Sequence, residues 1–99
     1  MPKAGPITRE FGENLAIQAL VFLAADPDRL GRFLAITGIG PEAIRKAAAD
    51  PGFLAGVLDH VVADEALLIA VAQHAGVSPL TVELAQNLLS GRPWEREVP

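Results

Sequence analysis

The chain has 99 residues, 51% of them apolar, with no Cys and a formal net charge of −4. That length supports a single modest core, so residues 1–99 are predicted to form one domain. The lack of Cys excludes disulfides, thiolate metal sites and thiol nucleophiles, and four Phe, one Trp and no Tyr favour close helix packing over a broad aromatic ligand cleft.

The first segment, Met1 to Ile7, carries two Pro and a Gly and is predicted as a mobile tail without the apolar run of a secretory signal. A helix follows from Arg9 to Ala24, with Thr8 as its cap and Phe11, Leu15, Ala19, Phe22 and Leu23 on one stripe. Its C-terminal half is apolar all round, which predicts a central position. Asp26-Pro27 opens a second helix, whose inward face is expected to be Leu30, Phe33, Leu34 and Thr37, and Gly38 ends it as a left-handed cap. Gly40-Pro41 starts a short third helix, Glu42 to about Ala49.

Asp50-Pro51 begins a fourth helix, where Phe53, Leu54, Val57, Leu58, Val61 and Val62 give the widest apolar face and the best core candidate. Asp64 caps a fifth helix carrying Leu67, Leu68, Val71, Ala72 and Ala75, closed by Gly76. Ser78-Pro79 opens a sixth, with Leu80, Leu84, Ala85, Leu88 and Leu89. Residues 90–99 are predicted as a second mobile tail. The fold class is all-α, a compact bundle of five or six short helices. The longest apolar runs, Ala19–Ala25 and Ala66–Ala72, fall well short of the ~18 residues of a membrane span, so no membrane association is expected, and cytoplasm is the expected location.

Charge is unevenly placed. Between Ala47 and Gly91 stand Asp50, Asp59, Asp64, Glu65 and Glu83 with no Lys or Arg, whereas Asp26 to Lys46 holds Arg29, Arg32, Arg45 and Lys46 against Asp26, Asp28 and Glu42. A polyanion should meet the latter segment first. Two stretches echo each other, Gly38-Ile39-Gly40-Pro41 and Gly76-Val77-Ser78-Pro79, as do Ala25-Asp26-Pro27 and Ala49-Asp50-Pro51. Shared capping chemistry accounts for both pairs without a true repeat.

Leu34 to Ile44, with Gly38-Ile39-Gly40 at its centre, resembles the helix-hairpin-helix element of DNA repair and replication proteins. The resemblance implies a turn whose backbone N–H groups meet a phosphate, with Gly38, Ile39 and Gly40 as contacts and Arg45 and Lys46 as supplements. Ile44 stands where that element usually has a small residue, and Thr37 precedes the first Gly. Capping alone is the competing explanation of the turn.

His60 and His74, with Asp64 one turn beyond His60 and Asp59 and Glu65 nearby, suggest a metal or an enzyme site. Asp26-Pro27-Asp28 pairs two carboxylates at a helix start, where the helix dipole already favours them. Asp64 is also needed as a cap and Ser78 likewise, so neither metal, cofactor nor catalytic residues are expected, and the chain is not expected to be an enzyme. Trp94 lies in the charged string Arg92-Pro93-Trp94-Glu95-Arg96-Glu97 and is a candidate anchor, either onto the domain itself or onto a partner.

The string from Phe22 to Leu68 is similar to a family of short bacterial proteins, the domain of unknown function three-five-seven-two. The residues that carry the likeness are Phe22-Leu23-Ala24-Ala25-Asp26, Arg32 to Gly38, Pro41, Arg45, Asp50 to Leu54, Val57-Leu58-Asp59 and Asp64 to Leu68. The resemblance implies a helical cytoplasmic bacterial protein and no activity. The functional expectation is a protein-protein interaction or adaptor module, with an unidentified protein partner or self-association. The alternative is sequence-tolerant nucleic-acid backbone binding through Gly38 to Gly40, Arg29, Arg32, Arg45 and Lys46.

Overall fold

The computed structural model describes residues 7–90. Six α-helices follow in chain order, α1 (Arg9–Ala24), α2 (Pro27–Thr37), α3 (Ile44–Ala47), α4 (Pro51–Val62), α5 (Glu65–Ala75) and α6 (Pro79–Ser90), with a 3-10 turn at Pro41–Ala43 before α3. The protein is all-α, as the sequence predicts. Residues 1–6 and 91–99, and with them most of both predicted tails and Trp94, lie outside the described residues. Of the residues predicted as tails, Ile7 packs on the core and Ser90 is the last residue of α6.

The helix starts are set by side-chain caps. Thr8 Oγ1 accepts from Phe11 N at 3.0 Å, Asp26 from Asp28 N at 3.0 Å, Asp50 from Gly52 N at 2.9 Å, and Ser78 from Thr81 N at 3.2 Å. Asp64 Oδ1 takes both Ala66 N at 3.1 Å and Leu67 N at 3.3 Å. Each such cap is worth about 1 kcal/mol, and in α2 and α4 a Pro beside the cap adds a preset φ.

Helices α1, α4 and α6 pack on one another as the centre of the bundle; α5 lies against all three, and α2 packs on α1. The shared core is Leu15, Ala16, Ala19, Leu20 and Leu23 of α1, Leu54, Val57, Leu58 and Val61 of α4, Leu67, Leu68, Val71 and Ala72 of α5, and Val82, Ala85 and Leu89 of α6. Phe33 joins it from α2, fully buried and edge-on to Phe53 of α4 at 5.9 Å between centroids.

The predicted faces of α4 and α5 match the buried ones. On the predicted stripes of α1 and α2, Phe11 and Thr37 are exposed, the latter turning its hydroxyl back to Phe33 O at the end of its helix. Three larger expectations need correction. The all-apolar half of α1 is not enclosed, since Val21 remains 59% exposed and Ile17 is exposed beside it. On α6 the buried stripe is Val82, Ala85, Gln86 and Leu89, while Leu80, Leu84 and Leu88 face outward. The helix is rotated because the small Ala85 lets it approach its neighbours and the buried Gln86 amide donates to Asp59 on α4. The third helix, expected over 42–49, is broken into the 3-10 turn and the four-residue α3, which buries no residue fully. Gly40 brings no capping oxygen, and Ala43 N closes directly on Gly40 O at 3.0 Å, three residues back, which winds the start as a 3-10 turn.

Candidate functional site

The Gly38-Ile39-Gly40 turn is built by the end of α2. Gly38 takes φ +75°, and its N–H donates to Leu34 O at 2.8 Å, the single bond of a left-handed helix stop. Thr37 Oγ1 donates back to Phe33 O at 3.0 Å and accepts from Ile39 N at 3.4 Å. The amides of Gly38 and Ile39 are therefore engaged within the turn. The Glu42 carboxylate folds over Gly40, close enough that a Cβ added there would lie 3.3 Å from its oxygen. A negative charge thus stands where the helix-hairpin-helix resemblance would bring a phosphate, and the segment after it is a short turn and not a full helix. Lys46 is exposed on α3, and Arg45 lines a groove together with Glu42.

That groove, about 650 Å³, runs along α1 between α2 and the α3 segment. Ile17, Val21 and Ala24 of α1, Leu30 of α2 and Ile44 of α3 make its apolar surface. Nothing in the hydrophobic pattern of α1 taken alone separates these residues from core ones; their exposure follows from α3 being too short to cover them.

The two histidines do not converge. His60, in the last turn of α4, meets the Phe33 ring edge-on at 5.1 Å, while His74, in the last turn of α5, is tilted against Phe22 at 5.2 Å. Among the described residues no three of His, Asp and Glu gather closely enough to hold a metal. Phe22 also carries the Arg29 guanidinium over its face at 5.0 Å, and Arg29 pairs with Asp26 at 3.6 Å.

A second recess, about 200 Å³, opens between α2 and the α4–α5 corner and is lined by Arg29, Arg32, His60, Asp64, Ala66 and Leu67. Burial pushes the His60 imidazole below its usual 6.5; the Asp64 carboxylate opposes that shift and Arg32 adds to it. The sequence shows Arg29 and Arg32 one turn apart on α2, but only the packing of Phe33 between them and α4 brings His60 to the same place.

Among the described residues no single helix is long and apolar enough to cross a membrane, and α5 and α6, which would suffice jointly, are bent by 100° at their junction. The described residues define a small helical bundle with an apolar groove along α1 and a recess that gathers two arginines, a histidine and an aspartate. The chain belongs to the family described as protein of unknown function (DUF3572), whose sequence model matches residues 9–92. No curated protein matches the chain, and no solved structure does.

Proposed function

We propose that this protein is a non-catalytic interaction module, and that it seats an amphipathic helix of a partner protein in the groove between α1, α2 and α3. The observation that carries this reading is the apolar strip of exposed Ile17 and Val21 with half-buried Leu30 and Ile44, walled on two sides by helices. Contiguous apolar surface of this kind is costly to leave in water, and a groove between helices suits apolar anchors spaced one turn apart. Glu42 and Arg45 border the groove with opposite charges, which orient an incoming helix and raise its encounter rate more than they hold it.

The test is affinity capture from extract of the source cells, with nuclease, comparing wild type, Val21→Glu and Leu84→Glu. Val21 and Leu84 are both exposed, so neither change disturbs the core. A defined protein retained by wild type and Leu84→Glu but lost by Val21→Glu supports the reading. An identical set on all three baits overturns it, as does a groove occupied by a second copy of the chain, which Val21→Glu would reveal by converting a dimer to a monomer. Nucleic-acid backbone binding is the alternative function; it predicts capture that vanishes with nuclease and with the double change of Arg45 and Lys46 to Glu.

A further inference from the structure

We propose that Arg29, Arg32 and His60 form a binding site for a phosphate-type oxyanion, free or as a monoester, in the recess between α2 and the α4–α5 corner. The site does not depend on the groove, although α2 contributes to both, Leu30 to the groove and the two arginines to the recess.

The argument begins with geometry. Arg29 and Arg32 sit three residues apart on α2, so both project from one side of the helix. Phe33, buried beside them, locks α2 against His60 at 5.1 Å and fixes the imidazole opposite the guanidinium pair. Leu67, itself almost fully buried, supplies an apolar wall from the first turn of α5. A recess of about 200 Å³ admits a phosphate with accompanying water and leaves no room for a large ligand.

Next comes the count of opposing charge. Asp26 is divided between the Arg29 guanidinium and the Asp28 amide. Asp64 Oδ1 is held by two amides of α5, so half of this carboxylate is turned to its own helix. Arg32 makes no ion pair among the described residues. Its planar fork therefore remains available for the two-oxygen recognition to which guanidinium is suited. An oxyanion entering here meets Arg32, unpaired among the described residues, Arg29 already paired to Asp26, and the His60 imidazole.

The charged groups around the imidazole are Arg29 and Arg32 from α2 and Asp64 from the α4–α5 corner; Asp59, next on α4, takes the Gln86 amide from α6. With His60 neutral, Arg29 and Arg32 balance Asp26 and Asp64, so the recess becomes net cationic only when His60 takes up a proton. Burial disfavours that proton in the empty site, and a bound dianion favours it. Binding is thus expected to raise the His60 midpoint when phosphate is present, while protonation of the phosphate itself, whose monoesters have a second pKa of about 6, offsets the gain in affinity on acidification.

The two histidines allow a direct measurement. Imidazole resonances are followed by NMR while inorganic phosphate, phenyl phosphate, acetate or chloride is added at constant ionic strength, with wild type, Arg32→Gln and Arg45→Gln. The expected result is a saturable His60 shift with both phosphates, little movement of His74, a smaller effect of acetate, and affinity roughly ten- to a hundredfold weaker in Arg32→Gln but unchanged in Arg45→Gln. Equal shifts at His60 and His74, an equal response to chloride, or an unaltered titration in Arg32→Gln overturns the site. Arg32 is exposed, so the variant is expected to melt as the wild type does; a folded Arg32→Gln that binds with wild-type affinity is decisive against it. An effect of phenyl phosphate without inorganic phosphate would also reject the oxyanion as the recognised group.

Discussion

The links Gly38-Ile39-Gly40-Pro41 and Gly76-Val77-Ser78-Pro79 read almost alike, and they build different things. Gly76 takes φ +74°, its N–H reaches Gln73 O at 3.2 Å and Val77 N reaches Ala72 O at 3.0 Å, the two-bond stop that satisfies both carbonyls and presses Val77 onto the core. Ser78 then caps α6, whose twelve residues bury Val82, Ala85 and Leu89. At the other link a single bond closes α2, Ile39 N falls back on Thr37, Gly40 offers no cap, and a four-residue helix follows with nothing fully buried. Local punctuation starts a helix, but the buried face behind it decides how far the helix runs.

The largest test of that comparison is truncation on both sides. Leu89→Ala in α6 removes a core side chain and is expected to cost about 2–5 kcal/mol in urea unfolding, whereas Ile44→Ala in α3, half-buried at the groove, should cost roughly 1 kcal/mol. Equal losses would mean that α3 is as firmly built into the core as α6. Gly76→Ala and Gly38→Ala come next, since both backbones are left-handed and each should be strained by about 1–2 kcal/mol. The two should part in hydrogen exchange: Gly76→Ala speeds exchange across the α5–α6 junction through global unfolding, and Gly38→Ala speeds it only at the end of α2 and in α3 through local opening.

Capping gives a smaller and sharper pair. Ser78→Ala should lower stability by about 1 kcal/mol. Gly40→Ser should raise it by a few tenths, roughly the difference between the two residues at a cap, because its Cβ meets only the movable end of Glu42. Helical exchange protection gained at Glu42 and Ala43 in this variant would show that the missing cap oxygen contributes to the 3-10 start; no gain would assign the turn wholly to the shallow burial of α3.

Most of the fold was legible because its starts and stops are chemical. Thr8, the three Asp caps at 26, 50 and 64, Ser78, and the glycines at 38 and 76 mark helix ends with residues whose reasons are local. The wide faces of α4 and α5 were legible for the same reason, since their apolar residues recur on one side. The rotation of α6 was not, because its signal is a buried Gln86 paired with Asp59 across 27 residues, and polar pairing at that range leaves no periodicity. The recess was half legible: Arg29 and Arg32 share a face by spacing, but His60 joins them only through the docking of Phe33. The apolar groove escaped the sequence reading because exposure of Val21 depends on what fails to cover it.

The smallest expected effect lies at the seam between the two regions, where His60 of α4 meets α2. Burial holds its imidazole below 6.5, with Asp64 opposing and Arg32 assisting. The unfolded chain therefore binds the proton first as pH falls. Above pH 6.5 the neutral form prevails in both states and the contribution to stability is complete; it declines as pH drops through the interval beneath 6.5 and levels off below the folded-state midpoint. Thermal melts of wild type and His60→Gln across that interval isolate the effect, because every other group is common to both. The wild type should lose stability relative to the variant on acidification, and phosphate should shrink the difference by favouring the proton on folded His60. A wild-type profile parallel to that of His60→Gln would show that the seam is open to water, and that α2 is held to the bundle by Phe33 without enclosing the imidazole.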